Sequence, residues 1–430
     1  MSPDLARRSA MAPRAGPLRG TRNVSPTLRL INALLFLPTA ALAARPLTMQ
    51  QSVALALEQS PRLIEGRADA AAAQAQLEGA SLLLQSNPQL QAAAGPRLRE
   101  EGTTLELNLG VSQQLEVFGQ RGARKDAARA TASASQSRLE ALKVDLAAEV
   151  RQSFGRALAA ERALRLSEDG LALAEEGRKT AEERLKAGAA SHIEVNIARV
   201  ELGRAQREKV RATQQRLQSL AELKLLLNLD ASEDVTPEGE LSTVVLAPPA
   251  FTVLVEQATQ QRQDLRAARA DWEAARAEVR FASRDALPRP SVGVSYGREE
   301  NDNIVQGTLS IDLPVFNRNP AGKGTSLARE RQAQQRLAAT ERFVRTEVEL
   351  ALNRYRAAQA TASVYGADVL SALQENLSLV TEAYRAGKVD YLQLLIIRRE
   401  ALDGRRGYIE ALEELNAASA QLIKSVGALQ

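Results

Sequence analysis

Side chains that commonly carry catalysis or bind metals are scarce in this sequence. There is one histidine, His192, and there is no cysteine, so a thiolate nucleophile and a histidine–cysteine metal cluster are both excluded. The HExxH pattern and the glycine-rich patterns GxxxxGK and GxGxxG do not occur. Glutamate and arginine recur three or four residues apart, which is typical of solvated helix faces. The sequence therefore predicts no enzyme activity, no metal ligands and no cofactor, with His192 as an exposed residue.

The elements that position the remaining polar residues occur twice along the chain. Four short segments recur in the same order at offsets of 198 to 202 residues. Chance similarity between alanine-rich helices would not keep helical and extended segments in phase. The matched pairs are Arg67–Asp69 with Arg269–Asp271, Asn87–Leu90 with Leu287–Pro290, Leu115–Phe118 with Leu313–Phe316, and Leu185–Gly188 with Tyr384–Gly387. These matches indicate a tandem duplication.

Each repeat has the same predicted layout of one helix, two short strands and two long helices joined by a glycine turn. The repeats are predicted at 44–235 and 251–430, with a linker at 236–250. The first helices are predicted at about 48–85 and 251–284. Strands are predicted at about 88–98, 104–117, 290–298 and 303–315. Long helices are predicted at about 121–187, 191–228, 323–386 and 390–427. The fold class is therefore mainly α with a smaller β portion.

The long helices are too long for a globular domain. No proline occurs between Lys125 and Ala187, and at about 1.5 Å per residue a helix over this stretch exceeds roughly 90 Å. Aromatic residues make up only 3% of the chain, which favours helices packed side by side over a large compact core. In the last helix, spacings of four and three alternate through Tyr408, Leu412, Leu415, Ser419, Leu422 and Val426. This spacing is typical of coiled coils.

The predicted strands alternate between apolar and polar residues. Such strands have one apolar face, and runs of about ten residues suit a membrane barrel with lipid outside and water inside. A soluble antiparallel sheet has the same alternation. Four strands cannot close a barrel, whereas three copies would supply twelve. The predicted lipid-facing residues are Leu105, Leu107, Leu109, Leu309 and Ile311.

The N-terminal residues 1–43 have the features of a secretory signal peptide. A basic region precedes the short apolar stretch Leu30–Ala43, and Ala41-Leu42-Ala43 forms a small-x-small cleavage site. The predicted mature start is Ala44, and Met11 is an alternative translation start. Six of the 56 basic residues and one of the 52 acidic residues lie in this segment. The remainder is nearly neutral, so no nucleic-acid partner is predicted.

The duplicated layout, with its signal peptide, resembles the TolC family of outer-membrane factors over nearly the whole mature chain. The segments Ser112–Arg121 and Leu313–Gly322 are similar to the CzcC-type heavy-metal cation efflux branch. The resemblance implies a homotrimer with a 12-stranded β-barrel in the outer-membrane lipid, continued by a 12-helix α-barrel through the periplasm. It also implies two partners, which are a periplasmic adaptor (membrane fusion protein) and an inner-membrane pump of the resistance-nodulation-division type.

The two glycine turns are predicted to form the periplasmic tip, at 185–191 and 384–390. A glycine at a helix end is often simply a C-cap, but in the family this end is closed at rest and meets the adaptor. The predicted docking residues are Leu185, Lys186, Gly188, Ser191, Tyr384, Arg385, Gly387 and Lys388.

Residues lining the closed gate are predicted from the same resemblance. Family members commonly have an acidic residue six positions after the tip glycine, facing the lumen. Here those positions are Glu194 and Gln393, so the second departs from the acidic pattern. Asp390 is also a lumen candidate, although the N-cap of the following helix is its more usual role.

The substrate is less constrained than the architecture. Heavy-metal cation efflux is the favoured function, and drug efflux or type I protein secretion are alternatives within the family. A periplasmic coiled-coil scaffold or adaptor is an alternative of another class, but adaptors carry one helical hairpin and not a duplicated pair with amphipathic strands.

Overall fold

The computed structural model describes residues 45–100, 102–241, 248–299 and 302–427. The predicted signal peptide, 1–43, lies outside these residues. The strands are β1 Arg45–Leu47, β2 Gln89–Arg99, β3 Gly102–Gln114, β4 Val235–Pro237, β5 Pro290–Glu299 and β6 Asp302–Ile311. The helices are α1 Met49–Gln59, α2 Pro61–Ala80, α3 Gln120–Lys186, α4 His192–Leu227, α5 Phe251–Gln261, α6 Gln263–Asp285, α7 Pro320–Val364, α8 Ala367–Arg385 and α9 Tyr391–Val426.

The first helix of each repeat is broken, so the predictions of single helices at 48–85 and 251–284 are wrong. In the first repeat the break is at Ser60, which is extended, and Pro61 begins α2. Proline lacks an N–H and is favoured at the first position of a helix. In the second repeat Arg262 is extended at the same place, and it pairs with Asp264 at 2.6 Å and with Glu347 at 2.5 Å. A buried arginine with two carboxylates therefore stabilises the second break.

The third long helix is also interrupted, so the continuous helix predicted at 323–386 is wrong. It divides into α7 and α8 at Tyr365 and Gly366. The Tyr365 hydroxyl lies over Gly407 of α9, where a Cβ would come within 2.3 Å of it. The Tyr365 ring also contacts that of Tyr408, with centroids 6.2 Å apart. The first repeat has no such break, because α3 runs continuously for 67 residues.

A short parallel sheet was not predicted. Strand β4 pairs with β1 in the register Leu47 with Pro237, so the segment predicted as linker from 236 begins in a strand. Leu47 and Val235 are buried in the main core. The sheet therefore fastens the end of the first repeat to its beginning.

The helices pack into a wall with two edges. Helix α3 packs between α4 and α9, and α9 packs in turn against α7 and α8. The main core lies where these helices meet and includes Val150 and Phe154 of α3, Tyr355 of α7 and Leu412 and Leu415 of α9. The coiled-coil positions of α9 thus face the core, while α4 and α7–α8 form the edges.

The remaining four strands form one antiparallel sheet in the order β2-β3-β5-β6. The ladders end at Gln114 and Ile311, so the predicted strands 104–117 and 303–315 are too long at their C-terminal ends. Leu109 lies opposite Ala92 on one side and Tyr296 on the other. Because cross-strand neighbours share a face, the two repeats contribute to one continuous apolar face.

Candidate functional site

The apolar face of the four-stranded sheet is exposed. Leu105 is 72% exposed and Leu309 is 70% exposed. All five predicted lipid-facing residues lie on this face, together with Leu90, Leu98, Val111, Val292, Val294, Tyr296 and Val305. A contiguous exposed apolar surface of this kind marks a membrane or a protein interface.

The opposite face of the sheet is polar. Its residues include Asn108, Ser112, Ser295, Thr308 and Ser310. The guanidinium of Arg97 lies between two carboxylates on this face, 2.7 Å from Glu106 Oε1 and 3.1 Å from Glu299 Oε2. The sheet can therefore separate an apolar medium from water.

The junction after β3, which is part of the segment Ser112–Arg121, has a structural role. Gln120 is fully buried, where its Oε1 accepts from the Phe118 N–H at 2.8 Å and its Nε2 donates to the Pro288 carbonyl at 3.1 Å. One turn later Arg124 forms a buried ion pair with Glu116. These contacts hold the start of α3 against the ends of the strands in both repeats.

The corresponding junction of the second repeat is built differently. Asn319 has a left-handed conformation with φ 54°, and its Oδ1 accepts from the Gly322 N–H at 3.1 Å. A Cβ at Gly322 would lie only 2.4 Å from that oxygen. The segment Asn317–Gly322 thus forms a cap for α7 that requires glycine.

The two predicted tip turns have the same geometry. Gly188 and Gly387 both have φ 73°, which is the left-handed region that glycine adopts at little cost. Each turn ends on an N-cap. Ser191 Oγ accepts from the Glu194 N–H at 3.2 Å, and Asp390 Oδ1 accepts from the Gln393 N–H at 2.8 Å. The carboxylate of Asp390 therefore caps α9, which was its more usual expected role.

A hydrogen bond joins the two hairpins within one chain. Tyr384 Oη donates to Glu194 Oε1 at 2.6 Å. Arg184 Nη1 donates to the Tyr384 carbonyl at 2.7 Å, and its guanidinium lies 4.7 Å from the centre of the Tyr384 ring. Burial, assisted by the bond to Glu194, holds the pKa of Tyr384 well above its usual value. The phenol is thus a fixed donor at this contact.

The contact lies in a small core separate from the main one. This tip core comprises Ala181, Val195, Ala198, Tyr384, Tyr391 and Leu394. The rings of Tyr384 and Tyr391 meet edge to face with centroids 5.6 Å apart. Arg385 forms an exposed ion pair with Glu176. Both hairpins contribute to this core, so it couples the two repeats at the tip.

The other predicted tip residues lie at the surface. Lys186, Lys388 and Gln393 are exposed, and Leu185 is packed against the tip core. Sequence reasoning missed Arg184 and Tyr391. Their counterparts in the other repeat, 199 residues away, are Ala383 and His192, so the duplication contained no signal for them.

The described residues offer little for catalysis. No group of three His, Cys, Asp or Glu side chains within them could hold a metal ion, and His192 is exposed at the start of α4. Gly293–Gly297 fits the letters GxSxG, but it lies inside strand β5. A nucleophilic serine of that pattern sits at a sharp turn between a strand and a helix. Across the described part of the chain, no helix has both the length and the apolarity to cross a membrane.

Comparison with known proteins identifies the fold. The sequence profile of the family "Outer membrane efflux protein" matches residues 53–229 and 254–428. The chain is 24% identical over 388 residues to the cobalt-zinc-cadmium resistance protein CzcC of Cupriavidus metallidurans, which covers 90% of this chain and 91% of the relative. It is 28% identical over 316 residues to the nickel-cobalt-cadmium resistance protein NccC of Alcaligenes xylosoxydans xylosoxydans, covering 71% and 70%.

A solved structure supports the same assignment. The channel protein CusC superposes with a TM-score of 0.72 at 21% identity, covering 88% of this chain and 92% of that one. The division of the family match into two parts confirms the predicted tandem duplication. The mainly α fold with an outer-membrane β portion is likewise confirmed. The chain belongs to the outer membrane efflux protein family.

Proposed function

We propose that this protein is the subunit of a homotrimeric outer-membrane channel that conducts heavy-metal cations out of the cell. The observation that carries this proposal is the exposed apolar face of the sheet, backed by a polar face and bounded by β2 and β6. Neither of these strands has a second neighbour within the described residues. Open strand edges cannot sit in lipid, so copies of the chain must pool their strands. Three copies give twelve strands around a water-filled lumen.

The edges of the helical wall support the same closure. Exposed apolar residues follow α4 at Ile193, Val200, Val210, Leu217 and Leu225, and α7–α8 at Phe343, Leu350, Val369 and Leu379. When two different edges join head to tail, the copies form a closed ring if the rotation from one copy to the next adds up to a full turn. The α4 edge of one copy would then pack against the α7–α8 edge of the next.

The names of the relatives support the proposed cargo, and the passive character of the channel supports the proposed partners. CzcC and NccC are named for cobalt, zinc, cadmium and nickel resistance. A passive conduit needs a pump to deliver its substrate, so we infer a periplasmic adaptor and an inner-membrane pump of the resistance-nodulation-division type. In this proposal the cation is cargo and not a resident cofactor.

Deletion and complementation test this function. Removing the gene should sensitise the host to zinc, cobalt or cadmium salts, and the wild-type gene should restore growth. A deletion strain that tolerates these metals but becomes sensitive to hydrophobic drugs would favour a drug-efflux channel instead. Recovery of the protein from the soluble periplasm after carbonate washing would exclude the channel and favour a scaffold.

Export is expected to remove the N-terminal segment. The basic, apolar and small-residue order before Ala44 predicts cleavage between Ala43 and Ala44. N-terminal sequencing of protein extracted from the outer membrane checks this. Retention of Leu30–Ala43 would contradict it, and Ala43→Tyr should block cleavage because the site requires a small residue.

Substituting the tip glycines is expected to weaken adaptor docking. No atom lies within 4 Å of a Cβ built at Gly188 or Gly387, so a side chain has open space at its base and the backbone strain of the left-handed conformation is about 1–2 kcal/mol. Oligomers should therefore form normally while cross-linking to the adaptor falls severalfold. Gly79→Leu is the matched control, since its Cβ also meets nothing within 4 Å and it lies outside the tip. Equal cross-linking in Gly188→Leu, Gly387→Leu and wild type would refute the docking assignment.

A further inference from the structure

A cavity of about 570 Å³ lies between α3, α4 and α9. Small residues of α3 form its floor, among them Ala163, Gly170 and Ala174, and Leu402 and Ile409 of α9 add apolar surface. Helix packing normally leaves few voids larger than a water molecule. The volume falls within the 300–1,000 Å³ range that is typical of small-molecule sites.

Ion pairs between α9 and α4 border this cavity. Arg399 Nη2 lies 2.6 Å from Glu201 Oε2, and Arg406 Nη2 lies 3.0 Å from Glu208 Oε1. These pairs join the two walls above the small-residue floor. The cavity is therefore a built feature of the three-helix contact and does not depend on one mobile side chain.

A buried arginine lines the cavity without a counter-ion. Arg398 is 4% exposed, and its Nη1 donates to the Leu173 carbonyl at 2.6 Å. Its Nε has no hydrogen-bond partner, and none of the described carboxylates forms a salt bridge with it. Burial lowers the pKa of Arg398, as expected for a cation taken out of water. A buried charge that lacks a partner is strongly unfavourable.

The nearby carboxylates are engaged by other arginines. Glu201 pairs with Arg399 and also with Arg204 at 3.4 Å, and Glu176 pairs with Arg385. Neither can rotate to Arg398 without giving up an existing partner. The missing counter-charge must therefore come from outside this set.

A second unpartnered polar group lies beside Arg398. Tyr391 is 2% exposed, and its hydroxyl has no hydrogen-bond partner. Both this hydroxyl and Arg398 Nη1 approach Gly177, at 3.3 and 3.0 Å from the position of a Cβ built there. Arg398 therefore lines the cavity, while Tyr391 packs beside it outside the lining residues.

We propose that this cavity binds an organic carboxylate, with the carboxylate group paired to Arg398 and a short apolar chain along the floor of α3. The positive net charge of the lining favours an anion, because seven arginines and five acidic residues line the cavity. The mixed lining favours an amphiphile, because the charge of Arg398 lies among alanine, glycine and leucine residues. This site is independent of the proposed channel function, since it is tested by binding alone.

Calorimetric titration of the detergent-extracted full-length protein with acetate, butanoate and hexanoate tests the proposal. Binding should saturate, and the affinity should rise by up to about fourfold for each added methylene that is buried. Hexanol, which has the chain without the charge, should bind at least about tenfold more weakly than hexanoate. Arg398→Gln should lose at least about tenfold in hexanoate affinity, whereas Arg398→Lys, which keeps a cation, should lose less.

Arg405→Gln is the matched control, since Arg405 lies on the same helix as Arg398 but does not line the cavity. It should bind hexanoate like wild type. Should Arg398→Gln fail to fold, as judged by circular dichroism, Ala163→Leu provides a second test, because it fills the floor and should weaken hexanoate while leaving acetate unchanged. Non-saturable binding, or equal loss in Arg398→Gln and Arg405→Gln, would overturn the proposal.

Discussion

Leu109→Asp and Leu309→Asp are each expected to abolish the heat-stable oligomer in the outer membrane. The two leucines lie on the apolar face of the sheet, one in each repeat. A carboxylate on the lipid face of a barrel costs about one to a few kcal/mol per site near mid-bilayer. A trimer carries every substitution three times, so the total cost approaches the net stability of a typical folded protein. Gel electrophoresis of unheated outer-membrane extracts measures the loss.

The neighbouring polar face provides the control for this prediction. Asn108→Asp and Ser310→Asp place the same charge one residue away, where the side chain points to the opposite face. Both should assemble like wild type, because a carboxylate facing water loses little hydration. Normal heat-stable oligomers in the leucine variants, or equal loss in both pairs, would show that this face does not meet lipid.

Periodicity in the sequence was sufficient to locate the longest elements. The proline-free run after Lys125 becomes α3, whose ends differ by one residue from the predicted 121–187. Strand alternation likewise marks the apolar face, because a period of two leaves no ambiguity about which residues share a side. The proline-free run and the strand alternation each extend over ten residues or more, so one residue that departs from the pattern does not change the prediction.

The breaks in the helices could not be predicted from periodicity. At Arg262 the interruption depends on Glu347, which is 85 residues away. At Tyr365 it depends on the space above Gly407 of another helix. Such contacts are tertiary, and the local sequence around Arg262 has ordinary helix propensity. Local signals exist at the other two breaks, where Pro61 begins a helix and Gly366 disfavours one.

At the tip, too, contacts between single side chains could not be predicted from the local sequence. Tyr384 and Glu194 were both candidates because they lie near the repeated glycine turns. Their direct contact requires the two hairpins to pack with a particular register, which no spacing within either hairpin encodes. Arg184 adds to the contact through its guanidinium over the Tyr384 ring, and its counterpart in the second repeat is Ala383.

Tyr384→Phe is expected to raise the single-channel conductance of the purified protein severalfold in planar bilayers. If the tip is the closed end of the tunnel, the bond from the Tyr384 hydroxyl to Glu194 stabilises the closed arrangement of the two hairpins. Hydrogen bonds to charged groups contribute about 1.5–3 kcal/mol, and the trimer has three. Phenylalanine keeps the ring contacts with Tyr391 and Arg184, so the tip core should remain packed while the bond between the hairpins is lost.

Combining Tyr384→Phe with Asp390→Ala should open the tip further, because Asp390 caps α9 and loss of an N-cap costs about 1 kcal/mol. Glu194→Gln removes the charge but keeps an acceptor, so its effect should lie between wild type and Tyr384→Phe. Tyr408→Phe is the control, since this tyrosine packs in the main core away from the tip and should leave conductance unchanged. Wild-type conductance in the Tyr384→Phe, Asp390→Ala double variant would mean that these hairpin contacts do not hold the channel closed. An equal rise in Tyr408→Phe would assign the effect to general loosening of the helical wall.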